Sequence, residues 1–146
     1  MSAIAWGVRL PNVALDRLRI DYDRCLREQS QSEIDYDWSG YFLVILLSYL
    51  EEHGIDLMKS TYDVLTHELS ISREMTIFIL TPDHRDRYLS SLDPARFSAD
   101  ELRDYYNAFN ETNEPQAGEA MLSGIEFLRQ SLAGLRNGSV VVCNIG

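Results

Sequence analysis

The fold of this chain is set by residues 39–54, which read SGYFLVILLSYLEEHG. Ser39 is a residue type that caps helix N-termini, and Gly54 is a stop signal just beyond His53. Between them, Tyr41–Leu50 is apolar on nearly every side of the predicted helix. A helix with this pattern is buried on most of its faces, so we expect it at the centre of the core. A buried strand shows the same pattern, but the length of the run favours a helix.

Strand patterns lie at both ends of the chain and once in its middle. Ile4–Leu10 alternates weakly between apolar and polar residues, Met75–Leu80 is rich in β-branched and aromatic residues, and Ser139–Ile145 is compact and apolar. Six of the seven residues of Ser139–Ile145 are apolar or small, so we expect it at or near the centre of a sheet.

Helical signals fill most of the remaining sequence, and Ser30–Asp37 is predicted to be a loop. The other predicted helices run from Asn12 to about Gln29, over part of Ile55–Ile71, from Pro82 to about Leu92, from Ser98 to Asn110, and from about Gln116 to Leu135. The sequence therefore predicts a single globular domain, residues 1–146, of the α+β class. Its small sheet includes the N- and C-terminal strands and is packed by about five helices.

The start of the chain and its cysteines bear on the compartment. Met1–Leu10 lacks a charged segment followed by an apolar run, so we expect no signal peptide and a reducing, cytoplasmic location. The longest apolar run, Tyr41–Leu50, is too short for a membrane span, which needs about 18 residues. Cys25 and Cys143 fall at positions patterned for burial, so we expect free, unreactive thiols.

The negative charge is unevenly distributed. The chain carries 23 Asp and Glu against 13 Lys and Arg. Residues 28–68 hold nine acids and one base, and residues 100–126 hold seven acids and one base. A field of this sign repels nucleic acid and attracts basic partners. We expect the two stretches to share one face of the protein.

Candidate catalytic and metal-binding patterns are incomplete. His67-Glu68 resembles the start of a metalloprotease helix, but the second histidine would stand at Ile71. The acids at 33, 35 and 37 lack the glycine and terminal glutamate of a calcium loop. Two alternatives stay open, a glycosidase-type pair of acids and a zinc site. The zinc site would be assembled from His53, Asp56, His67 and Asp83. The sequence predicts no catalytic residues, no metal and no cofactor.

Aromatic residues stand beside acids in two places. This combination suits arginine-rich protein surfaces, because arginine pairs with carboxylates and stacks on rings. The predicted partner-binding residues are Asp35, Asp37, Trp38, Asp100, Asp104 and Tyr105. For Tyr41, Tyr106 and Phe109 we expect core packing instead.

The order of landmarks resembles that of a known family. Asp35-Tyr36-Asp37-Trp38 leads into the apolar helix, and a strand then runs into Leu80-Thr81-Pro82. A Leu92-Asp93-Pro94 turn, a Glu114-Pro115 step and a final β-branched strand follow. This succession resembles the YfbM-like family of small bacterial proteins. The chain departs from it in Ile55–Glu74, which lacks the expected glycine-rich stretch. The resemblance implies a compact α+β domain and favours an immunity- or antitoxin-like role.

We therefore predict a non-enzymatic, acidic module that binds a basic partner protein. The alternative is a small enzyme or ligand-binding domain, with a pocket between the sheet and the Ser98–Asn110 helix. A third possibility, a structural oligomer subunit, requires a large exposed apolar patch.

Overall fold

A computed structural model describes residues 3–146. Its strands form one antiparallel sheet in the order β2-β1-β4-β3, with the first and last strands in its centre. The strands are β1 (Ala5–Pro11), β2 (Ser32–Asp35), β3 (Thr76–Leu80) and β4 (Ser139–Ile145). The prediction of a central C-terminal strand is confirmed, because β4 pairs with β1 on one side and β3 on the other.

Residues 3–146 contain six α-helices and three short 3₁₀ helices. The α-helices are α1 (Tyr22–Gln29), α2 (Gly40–Glu52), α3 (Asp63–Arg73), α4 (Pro82–Tyr88), α5 (Ala99–Asn110) and α6 (Ala117–Ala133). The 3₁₀ helices are Asn12–Arg19, Leu89–Ser91 and Pro94–Arg96. The predicted α+β class is confirmed, with more helices than expected.

Helices cover both faces of the sheet. Along β3, Phe78 and Leu80 belong to one apolar cluster, while Ile77 and Ile79 belong to a second. The first cluster packs under α2, α4, α5 and α6, which we call the α2 layer. The second packs under the 3₁₀ helix Asn12–Arg19, α1 and α3, which we call the α3 layer. Because side chains alternate across a strand, burial on both faces explains why β3 and β4 are mostly apolar, with Thr76, Ser139 and Asn144 as the polar exceptions.

The apolar helix predicted at the centre of the core is α2. Leu43, Leu46 and Leu50 on it are fully buried. The Ser39 hydroxyl accepts a hydrogen bond from the Tyr41 N–H, and Gly54 has a left-handed φ of +83° beyond the C-terminus. The sequence signals at both ends of this helix are therefore confirmed.

Two predicted elements differ from the structure. The helix predicted from Asn12 to Gln29 is divided at Asp21, whose carboxylate accepts from the Arg24 N–H and begins α1 as a new helix. Asn12 does not cap the preceding 3₁₀ helix, which has no side-chain cap. The predicted loop Ser30–Asp37 contains the edge strand β2, on which Glu33 and Asp35 are exposed.

Cys25 and Cys143 are both free and buried, as predicted. Burial raises the pKa of each thiol, so the reactive thiolate is disfavoured at neutral pH. None of the helices in residues 3–146 has the length and apolarity needed to traverse a bilayer.

Candidate protein-binding site

The structure separates the six predicted partner-binding residues. Asp35 lies directly opposite Trp6 on β1, so its side chain is on the sheet face covered by the α3 layer. Asp37 and Trp38 lie in the connection before α2, in the α2 layer. Asp100, Asp104 and Tyr105 are on α5 in that same layer. Asp35 is therefore not brought together with the residues of α5.

Helices α2 and α5 lie side by side and antiparallel. Near one end, the Tyr41 hydroxyl donates to Asn110 Oδ1 at 2.6 Å. Near the other, the Tyr49 hydroxyl donates to Glu101 Oε1 at 3.2 Å. We call the outer side of this pair the α2–α5 surface. It comprises Tyr41, Ser48, Glu51, Glu52, Glu101, Asp104, Tyr105 and Phe109.

An aromatic cluster holds the centre of the α2–α5 surface in place. The Tyr49 ring is stacked on His53 with a centroid distance of 4.1 Å and lies edge-on to Tyr105 at 5.1 Å. The Tyr105 hydroxyl lies 3.1 Å from Ser48 Oγ, and its ring lies 6.2 Å from that of Phe109. Tyr105 is therefore half-buried and held in one orientation from two sides.

Trp38 is connected to the same helix pair. Its ring is edge-on to Phe42 at 6.1 Å, and Phe42 packs against Tyr106 at 4.9 Å. Of the three aromatic residues expected in the core, Tyr106 is 8% exposed and is confirmed. Tyr41 is 44% and Phe109 is 56% exposed, so the prediction was wrong for these two.

The exposure of Phe109 follows from the packing of α5. This helix contacts α6 and α2, and its buried residues are Leu102 and Tyr106. Tyr105 and Phe109 lie one turn apart at the flank of that contact. Their spacing of four residues is the same whether such a position is buried or exposed, so the spacing alone does not predict burial. The sequence feature that could have predicted the exposure of Phe109 is its position in the last turn of the helix, next to Asn110.

The α2–α5 surface carries many more carboxylates than cations. Glu51 and Glu52 occupy the last turn of α2, which contains no base. The first turn of α5 carries Asp100 and Glu101. The two helices together hold five acids and one base, Arg103, which lies 3.2 Å from both Asp100 and Asp104. The surface therefore keeps a net negative charge after its ion pairs are counted.

The acids of the α3 layer are differently arranged. Its three helices carry five acids and five arginines. Arg19 pairs with Glu68 at 2.8 Å, and Arg73 pairs with Asp23 at 2.9 Å. The two acidic stretches of the sequence therefore do not share one face as a whole. Glu51 and Glu52 lie beside the second stretch, whereas residues 63 and 68 are in the opposite layer.

Tyr49 and Tyr105 are neutral hydrogen-bonding groups. Burial raises the pKa of Tyr49, and the neighbouring Glu101 raises it further. Burial is also the main cause of the raised pKa of Tyr105, with Glu52 adding to it. Tyr49 is buried beneath His53 and Tyr105. The half-buried Tyr105 thus offers a phenol and a ring beside carboxylates, a combination that binds guanidinium groups.

The zinc site and the pocket beside α5 that the sequence left open find no corresponding geometry in residues 3–146. In residues 3–146, no three histidine, cysteine or acidic side chains are grouped closely enough to hold a metal ion. His53 ends α2 and His67 is on α3, in opposite layers. The space between the sheet and α5, where the pocket was expected, is occupied by α2 and α6.

Comparison with solved structures bears on the fold. The chain is similar to a crystal structure described as a protein of unknown function, YfbM from Escherichia coli, with a TM-score of 0.51 and 16% identity. The match covers 98% of this chain and 99% of that one. The fold resembles that of YfbM. The resemblance predicted from the order of landmarks is therefore confirmed at the level of the fold. No family model and no curated protein matches the sequence.

Proposed function

We propose that this protein is a non-enzymatic binding module of the immunity or antitoxin kind, which holds a basic protein partner through the α2–α5 surface. The observation that carries the proposal is one surface with the exposed rings of Tyr41 and Phe109 toward one end and, toward the other, Glu51 and Glu52 in a helical turn that contains no base. Exposed aromatic rings cost free energy in water, and dense like charges repel one another. A partner that supplies arginines and apolar contacts relieves both costs.

The chemistry of the surface selects the partner. Glu51 and Glu52 lie at the C-terminus of α2, where the helix dipole is also negative. A cation that approaches this end meets the dipole and both carboxylates, with the phenol of Tyr105 beside them. A nuclease toxin whose cleft is built for phosphate has the complementary charge. We expect Trp38 and Asp37 to extend the contact beyond the Tyr41 end of the surface.

The test compares two variants with the same change in net charge. The site variant carries Glu51→Gln, Glu52→Gln and Asp104→Asn. The control variant carries Asp16→Asn, Glu33→Gln and Asp35→Asn, which are exposed acids outside the α2–α5 surface. A basic protein recovered from the source organism on the wild type is purified, and its association rate is measured against salt concentration.

We expect the site variant to associate more slowly and with a weaker salt dependence, while the control variant stays near wild type. Phe109→Ala should instead raise the dissociation rate about tenfold, with the fold unchanged, because the ring is an exposed anchor. If both charge variants lose the same fraction of the association rate, the effect depends on net charge alone and the proposal is overturned. Binding without salt dependence, or turnover of a small substrate by the protein alone, would also overturn it.

A further inference from the structure

Exposed apolar side chains also lie on the α3 layer. On α3, Val64 is 71% and Ile71 is 65% exposed. They are seven residues apart, so they lie on one side of the helix with His67 and Glu68 between them. We call these four residues the α3 ridge. Ile20, which is 86% exposed, follows Arg19, and Arg19 is bound to Glu68 of the ridge.

A groove runs along each side of the α3 ridge. On one side, an open groove of about 650 Å³ lies between α3 and residues 58–59, and its apolar lining is Met58, Val64 and Ile77. On the other side, a groove of about 540 Å³ lies between α3 and residues 18–22. A convex apolar ridge beside an apolar groove is complementary to itself, because a two-fold axis places each ridge in the groove of the other copy.

The charges of this layer indicate the occupant. The helices of the α3 layer carry equal numbers of acids and arginines, so two such layers meet without net repulsion. The first groove is lined by Lys59 and by the acids Asp63 and Glu68, of which Glu68 also pairs with Arg19. These are opposite charges that a two-fold axis can bring together. A strongly basic partner would gain little here and much more at the α2–α5 surface.

We propose that the protein pairs with a second copy of itself through the α3 ridge and the groove beside Met58. Val64 and Ile71 of each copy pack into the partner's groove against Met58 and Val64. The α2–α5 surfaces of the two copies then point away from each other. This arrangement separates the most acidic regions and leaves both free. The proposal does not depend on the function proposed for the α2–α5 surface.

The first test measures mass by sedimentation over a range of protein concentrations. We expect the wild type to shift from monomer to dimer with concentration, and Val64→Lys/Ile71→Lys to stay monomeric. The matched control is Ile4→Lys/Val13→Lys, which changes two exposed apolar residues outside α3 and its grooves and should dimerise like the wild type. A wild type that stays monomeric, or a ridge variant that dimerises equally well, overturns the proposal.

The second test requires no substitution. Lys59 is the one lysine of the chain, so a zero-length reagent that joins amines to carboxylates has few possible products. In a mixture of unlabelled and ¹⁵N-labelled protein, we expect a cross-link between a labelled and an unlabelled chain that joins Lys59 of one copy to Glu68 or Asp63 of the other. If such cross-links between chains join Lys59 only to acids of α5, the proposed interface is overturned.

Salt distinguishes the two surfaces. Self-association brings together two chains of net charge −10, so added salt should strengthen it or leave it unchanged. Binding of a basic partner should weaken with salt. If the protein does not dimerise but binds a basic partner, only the dimer proposal is overturned. If it dimerises but binds no basic partner, only the function proposed for the α2–α5 surface is overturned.

Discussion

At Gly118 a single hydrogen atom determines how closely α5 and α6 approach. A Cβ built on this glycine would overlap the backbone carbonyl of Ala99, the first residue of α5. Backbone cannot move aside as a flexible side chain does, so we expect Gly118→Ala to destabilise the protein by about 2 kcal/mol or more. Chemical denaturation measures this loss.

The matched control is Gly124→Ala in the same helix. There the added methyl group meets the side chains of Leu46 and Leu43, which have rotamers available. The higher helix propensity of alanine, about 1 kcal/mol over glycine, offsets part of the strain. Equal losses for the two variants would contradict the assignment of backbone contact as the decisive constraint at Gly118.

His84 makes the stability dependent on pH. It is 3% exposed, its Nε2–H donates to the Lys59 carbonyl at 2.6 Å, and its Nδ1 accepts from the Thr81 N–H at 3.0 Å. Burial lowers its pKa below the ordinary 6.5. Between the two values the unfolded chain binds the proton and the folded protein does not. Stability is therefore complete above pH 6.5 and falls as the pH drops through that value toward the folded pKa.

Denaturation between pH 7.5 and 5.5, roughly one unit on either side of the unfolded histidine pKa, tests this assignment. We expect His84→Gln to have a flatter profile than the wild type. His67→Gln, which changes an exposed histidine, should keep the wild-type slope. If the His67 variant flattens the profile and the His84 variant does not, the pH dependence has another source.

Among the elements, β4 has the largest structural role. It supplies the pairing partner of both β1 and β3, and Val141, Val142 and Cys143 on it are buried on opposite faces. Removing residues 141–146 takes away the whole β3–β4 ladder and all but two pairs of the β1–β4 ladder, and it exposes both cores. We expect the shortened chain to be insoluble or to lack a cooperative transition in calorimetry. A cooperative transition near the full-length melting temperature would show that β1 and β3 do not depend on β4.

The elements also show what sequence can and cannot predict. Capping and stop residues predicted α2, and β-branched content predicted β3 and β4, because these signals are local. The break at Asp21 was missed because Leu15, Leu18 and Tyr22 fit both one long helix and two short ones. The exposure of Tyr41 and Phe109 depends on which helices meet, which no local signal contains. Asp35 was placed with the α5 acids on charge alone, whereas strand register places it on the other face.

The C-terminal end of α2 combines two unfavourable charges with a negative dipole. Glu51→Gln/Glu52→Gln removes the repulsion between each carboxylate and the negative end of the helix dipole. We therefore expect the melting temperature to rise by about 2–4 °C. The same variant should bind a basic partner more weakly, which is the pattern expected where residues serve binding at the expense of stability. Asp100→Asn is the control, because Asp100 lies in the favourable first turn of α5 and pairs with Arg103. Its melting temperature should fall or stay unchanged.

For the whole molecule, a net charge of −10 opposes folding in proportion to how closely the acids are brought together. The helices of the α3 layer are balanced, whereas α2 and α5 together hold five acids and one base, so we expect a large share of this cost on the α2–α5 surface. We expect the wild-type melting temperature to rise between low and physiological salt, as the Debye length falls to about 8 Å.

The variant with Glu51→Gln, Glu52→Gln and Asp104→Asn should lose most of that rise. The variant with Asp16→Asn, Glu33→Gln and Asp35→Asn has the same net charge and should retain it. Identical salt profiles for the two variants would mean that total charge, and not its concentration on the α2–α5 surface, governs the stability of this fold.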